Sequence, residues 1–359
     1  MKGGPSDLSQ SAAAAGLLYV TDRSPGIRRH RAGRGFRYVT SRARILREAS
    51  VLQRVKQLAI PPAWRHVWIC SNSNGHLQAT GRDARGRKQY RYHPRWREIR
   101  DEAKYERILA FAAALPALRR QTAKDLSTTR LTKRKVVAAV VQLLEKTLIR
   151  VGNDEYARDN HSFGLTTMRD THVEISRSTV RFRFRGKGGK VHDIAFDDRR
   201  LATVVRRCQE LPGHELFQYI DDQGEVQDIG SSDVNDYLRE VTGQEFTAKD
   251  FRTWTGTVLA ARALHEMQGF RSATEARRNI NQAIEAVAGM LGNTRSICRK
   301  CYIHPAIFDA YLDRSLMQTV SANARRQISN SLQNLNHTET TVLALLQQKL
   351  HREIRRRTA

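Results

Sequence analysis

The chain has 359 residues, of which 62 are Lys or Arg against 36 Asp or Glu, a formal net charge of +26 at pH 7. A hydrophobic share of 40% with 27% charged residues fits a globular protein of two or three domains and excludes a low-complexity or fibrous chain. So large a positive charge destabilises a compact fold by self-repulsion unless a polyanion neutralises it, which makes nucleic acid the expected partner. No apolar run approaches the ~20 residues that span a bilayer, and no basic amphipathic surface helix argues for a membrane.

In chain order, residues 1–16 read as a disordered lead, small and polar, without the hydrophobic stretch of a signal peptide. Residues 17–96 carry short apolar runs punctuated by Gly, Pro and Asn. Gly35–Val39, His66–Cys70 and His76–Thr80 are predicted strands, and Ser41–Leu58 a helix ended by Pro61-Pro62. The segment Gly81–Tyr92 is basic and aromatic. Arg87 and Lys88 suit phosphates, while Gln89, Tyr90 and Tyr92 suit bases or sugars. Tyr90 and Tyr92 also fit sheet packing, since i and i+2 share a strand face.

From Trp96 the pattern turns helical, giving a mainly α domain over 97–320. Thr132 is a predicted cap for a helix with Val136, Val140, Leu144 and Leu148 on one stripe. Val180, Phe182 and Phe184 alternate with Arg181, Arg183 and Arg185. A glycine-rich turn at 186–190 and a return through Val191–Phe196 complete a hairpin. Helices resume near Leu201, Asp233, Thr247 and Asn279. Residues 321–359 form a basic helical tail ending in Arg355-Arg356-Arg357. The expected fold is α+β: a small β-rich N-terminal domain, then a larger mainly α domain with an embedded hairpin. The few cysteines imply a reducing compartment. Cys298 and Cys301 are either a redox pair, their pKa lowered by neighbouring Arg and Lys, or two thiols of one helix. A zinc site lacks a second ligand pair.

Five positions could carry chemistry, each with an ordinary alternative. Arg150 follows an apolar helix, with Gly152 leaving room for a backbone to approach. Lys187 sits among glycines on the hairpin turn, either a solvated turn residue or a mobile ammonium. Thr247 and Asp250 fit a capping box, placing Arg252 at a helix N-terminus as an anion site. Gly292 fits a helix end, and Asn293 is followed after eight residues by Tyr302, expected about two turns into a new helix.

The ordered set Arg150, Lys187, Arg252, Asn293 and Tyr302, with Lys249-Asp250-Phe251-Arg252-Thr253 and the Gly81–Tyr92 segment, resembles the type IB DNA topoisomerases in their compact bacterial and poxvirus-like form. The likeness runs from about Leu17 to Leu316. It implies that the two domains close on duplex DNA as a clamp. It implies Tyr302 as the nucleophile, Arg150 and Arg252 on the phosphate oxygens, Lys187 as the general acid and Asn293 as a further donor. Gly152, Tyr156 and Lys249 are implied DNA contacts. The product is a 3′-phosphotyrosyl bond, religated without ATP, cofactor or metal, by a monomer in the cytoplasm or nucleoid. Asn293 stands where many members have histidine, so it donates a hydrogen bond without charge and adds no titration of its own. Gly81–Lys88 approaches a phosphate-binding loop but has Arg87 where that motif's lysine belongs. Two rivals stand. A tyrosine recombinase uses similar chemistry, but usually has histidine where Lys249 lies. A chromatin-like binder rests on charge alone.

Overall fold

The computed structural model describes residues 5–33, 35–84, 86–267, 269–318 and 336–358. The chain divides into two compact units, residues 1–106 and 107–359.

The first unit is built on a five-stranded antiparallel sheet. Its strands are β1 (Gly26–Ala32), β2 (Gly35–Val39), β3 (Arg65–Cys70), β4 (Leu77–Arg82) and β5 (Lys88–Tyr92), in the order β2-β1-β3-β4-β5. Alternation along β3 splits its side chains between two faces. Val67 and Ile69 join Ile27, Val55 and Ala79 on one, and Trp68 and Cys70 join Leu77 on the other. The lead departs from expectation. Helix α1 spans Pro5–Ala14, and Ala12, Ala15 and Leu17 pack against Trp96. Alanine is the strongest helix former, and its small side chain lets a helix lie close to an indole, two effects that composition alone does not reveal. Helix α2 is shorter than expected, Ala49–Gln57. It ends ahead of the prolines, where Ala59 takes φ 46°.

Helix α3 (Pro94–Leu126) opens with proline at its first position, where no N–H is needed. The second unit centres on α4 (Lys133–Thr147), capped by Thr132 as expected, its hydroxyl accepting from Lys135 N–H at 3.4 Å. Val136 to Val141, Leu143 and Leu144 are all buried, so α4 is wrapped on more faces than one stripe provides. After α5 (Asp154–Asn160), the strands β6 (Val173–Ser176), β7 (Thr179–Arg185) and β8 (Val191–Asp197) form an antiparallel sheet. Within it the expected hairpin has Val180, Phe182 and Phe184 inward and the three arginines outward. Then come α6 (Arg199–Gln209), β9 (Gln218–Ile220), β10 (Val226–Asp228), α7 (Ser231–Thr242), α8 (Ala248–Glu266), α9 (Ala273–Leu291), α10 (Arg295–Cys301), α11 (Pro305–Leu312) and α12 (Ser315–Gln318).

The tail, expected as a separate basic helix over 321–359, lies outside the described residues as far as 335. From there the helix His337–Thr358 is part of the second unit. Val342, Leu343, Leu345 and Leu346 are buried, and Glu339 binds both Arg119 and the Trp254 indole N–H. Among the described residues no helix is long and apolar enough to cross a membrane.

Candidate active site

Arg252 organises the site. It lies on the second turn of α8 and is 4% exposed. The sequence places it as a group projecting at a helix N-terminus. That terminus is instead closed by its own cap, Asp250 accepting from Thr247 N–H at 2.7 Å and holding Arg107 through two hydrogen bonds. The guanidinium turns inward. It donates to the carbonyl of Leu148, just past α4, and to that of Leu291, the last residue of α9, the latter at 2.5 Å. Carbonyls at helix C-termini lack intrahelical partners and carry the negative end of the helix dipole, so they suit a buried cation. Burial pushes the Arg252 pKa down from the ordinary arginine value and Arg150 adds to that, while Tyr302 opposes both.

The same two helix ends carry the neighbouring groups. Leu148 takes the left-handed conformation (φ 56°), which turns the chain out of α4 and leads to Arg150 two residues on. Gly292 does the same after α9 (φ 62°), and Asn293 N–H closes back on Ala288 carbonyl at 3.0 Å. The two turns meet where Arg150 Nη2 donates to Asn293 Oδ1 at 2.6 Å. Gly152 (φ 120°) does leave room for a backbone, and the backbone that comes is the chain's own. A Cβ there would meet Thr166 Oγ1 at 2.6 Å, and Leu165 N–H bonds the Arg150 carbonyl at 2.9 Å.

Tyr302 is half-buried and caps the C-terminus of α10 rather than lying inside the helix. Its ring centroid is 5.2 Å from Arg252 Cζ. Two residues of α8 absent from the sequence reading hold its backbone. Thr257 accepts from His304 N–H at 3.1 Å, with the Tyr302 carbonyl 3.4 Å from its hydroxyl. A Cβ on Gly256 would fall 2.7 Å from that carbonyl and 3.3 Å from Tyr302 Cβ. Gly256→Ala is therefore expected to shift Tyr302, and a reaction that used its phenol would slow about 100-fold, the size of effect of a misplacement near 1 Å. Single-turnover kinetics with a parallel melting curve check this, and wild-type rates would refute it. The spacing of Gly256 in a helix carries no sign of what approaches it.

Arg150, Arg252, Asn293 and Tyr302 thus come together. Two buried donors of the group, Arg252 Nε and Asn293 Nδ2, have no acceptor among the described residues. Buried donors are ordinarily paired, and an unpaired one costs about 1–3 kcal/mol, so orphaned donors beside a buried cation point to an anionic ligand. Lys187 is exposed on the turn Lys187–Gly189, and Lys249 is exposed on the first turn of α8. Tyr156 falls on α5. Cys298 is buried, and burial pushes its thiol pKa up, the reverse of the activated pair weighed from sequence; Cys301 is exposed.

In the first unit Lys88, Tyr90 and Tyr92 share the exposed face of β5, while Gln89 lies half-buried on the other face and meets Arg87 at Asp83. Tyr90 and Tyr92, 45% and 36% exposed, stack on each other with centroids 5.9 Å apart. Arg87 pairs with Asp83 at 2.7 Å and Lys88 with Asp22 at 2.6 Å. Gln89 donates to Asp83 at 3.0 Å.

Residues 93–330 match the catalytic core of eukaryotic DNA topoisomerase I, and residues 35–83 match the N-terminal domain of bacterial DNA topoisomerase IB. The DNA topoisomerase 1B of Acanthamoeba polyphaga mimivirus is 31% identical over 267 residues, covering 72% of this chain and 80% of the viral protein. The DNA topoisomerase 1B of Vaccinia virus (strain Copenhagen) is 22% identical over 248 residues, covering 67% of this chain and 74% of that protein. The chain belongs to the type IB DNA topoisomerases.

Proposed function

We propose that this isomerase relaxes duplex DNA through attack of the Tyr302 phenol on a backbone phosphate. The bond from Tyr302 oxygen to phosphorus forms as the bond to the 5′-oxygen breaks, leaving a 3′-phosphotyrosyl linkage. The phenolic proton passes to solvent during attack, and Lys187 protonates the departing 5′-oxygen. Arg150 and Arg252 neutralise the non-bridging oxygens, with Asn293 Nδ2 as a further donor. The downstream duplex rotates, and the 5′-oxygen rejoins phosphorus as the bond to Tyr302 oxygen breaks, the hydroxyl proton returning to Lys187 and the phenolate regaining one from solvent. The energy of the diester is kept in the tyrosyl bond, so the cycle runs without ATP.

The observation that carries this reading is the buried Arg252, seated on two helix-end carbonyls beside the Tyr302 ring, with orphaned donors around it. The stacked Tyr90 and Tyr92, with Arg87, Lys88 and Gln89, hold the duplex from the first unit. Lys249 adds a phosphate contact near α8, Gly152 keeps Arg150 in place, and Tyr156 is a further candidate DNA contact. The two units close on the duplex as a clamp, with supercoiled DNA preferred. The protein acts as a monomer in the cytoplasm or nucleoid.

The test is incubation of supercoiled plasmid with the protein in EDTA, without nucleotide. Stepwise relaxation is expected. Strand exchange between paired sites, or topology changes that vanish on deproteinisation, would instead support the recombinase or the chromatin-like binder.

A further inference from the structure

One more side chain reaches this neighbourhood from the hairpin. His192, half-buried on β8, lies opposite Phe184 on β7, and the two rings stack with centroids 5.0 Å apart at 15°. The edge of the imidazole abuts two backbones at once. A Cβ on Gly186 would fall 2.7 Å from both His192 Cδ2 and Nε2, and one on Gly292 would fall 2.7 Å from Cε1. These glycines immediately precede Lys187 and Asn293.

We propose that His192 is a positioning residue, its ring the spacer that fixes the Lys187 turn against the Asn293 loop and so against Arg150. The turn gives reason to need one. Gly188 and Gly189 both sit at φ 79°, a left-handed conformation that side-chain-bearing residues rarely adopt. The place of the Lys187 ammonium follows from the place of this turn, and an error near 1 Å costs about 100-fold in rate. Burial and the nearby cations Arg150, Lys190 and Arg252 lower the His192 pKa, which keeps the spacer neutral among the phosphate-binding groups.

The inference rests on Lys187 as the acid, and its test separates the two. Single-turnover cleavage is compared on a duplex with an ordinary phosphodiester and on one with sulfur as the bridging 5′-atom, at a mapped cleavage site. Sulfur leaves without general acid help. On the ordinary substrate His192→Ala is expected to lose about 10- to 100-fold, and on the sulfur substrate to return to within a few-fold of wild type. His192→Leu, which fills the slot without a flat ring, is run in parallel so that a folding defect in the alanine variant does not decide the outcome. If Lys187→Ala is rescued by sulfur and neither His192 variant is, the spacer role is overturned while the acid stands. If Lys187→Ala is not rescued either, the acid assignment falls and the inference with it. Wild-type rates for both His192 variants on the ordinary substrate also overturn it.

Discussion

Tyr302→Phe is expected to abolish relaxation and the covalent protein–DNA adduct, a loss of about 10⁴-fold or more. Without the nucleophile only binding and charge stabilisation remain, and neither breaks a diester bond. The substitution removes one oxygen, and with it a hydrogen bond to Arg252, from a half-buried ring, and leaves the ring's packing against Arg252 in place. Folding and DNA affinity are therefore expected to persist. That affinity should fall steeply with salt, as binding driven by counterion release does. Plasmid relaxation, denaturing gels of the adduct and a salt titration check the three parts. Residual relaxation above 1% of wild type would assign the nucleophile elsewhere.

Arg252→Ala is expected to have the next largest effect, because the side chain bridges two helix ends and, on the proposed mechanism, also neutralises the phosphate. Loss of one preorganised donor to a developing oxyanion costs about 10²–10³ in rate. Here the loss also strands the carbonyls of Leu148 and Leu291, which end the turns that carry Arg150 and Asn293. Each unpaired buried carbonyl costs about 1–3 kcal/mol, so a lower melting temperature accompanies the catalytic loss. Arg252→Lys keeps the charge but cannot bridge two carbonyls with a planar fork, and intermediate values of both are expected. Single-turnover cleavage and calorimetry provide the readouts. A catalytic loss below ten-fold with unchanged stability would remove Arg252 from the centre of the site.

Much of the second unit was legible in the sequence because its signals are local. The hairpin follows from the two-residue alternation of Val180, Phe182 and Phe184 with arginines, and Thr132 and Asp250 cap their helices as their spacing implies. The family itself was legible from an ordered set of residues that no one segment could supply. What escaped depends on tertiary approach. Arg252 read as a projecting anion binder because its neighbours in sequence form a helix N-terminus, yet its partners are carbonyls at residues 148 and 291. Gly256 and Thr257 carry no signal in the sequence, because only the approach of the Tyr302 backbone sets them apart. His192 read as one more position on a strand. The lead read as disordered because small residues reveal helix propensity only when something such as Trp96 offers a surface.

The central claim is that Tyr302 becomes joined to DNA, and the most direct measurement is the mass of the joined peptide. Denaturing the protein during turnover traps the adduct, and nuclease followed by trypsin leaves a nucleotide on one peptide. Tyr302 falls in the tryptic peptide Cys301–Arg314, which also contains Tyr311. Fragmentation is expected to place a 3′-linked nucleotide on Tyr302, with a 5′-hydroxyl on the released DNA end. A nucleotide on Tyr311 or any other residue, or a 5′-phosphate linkage, would contradict the account.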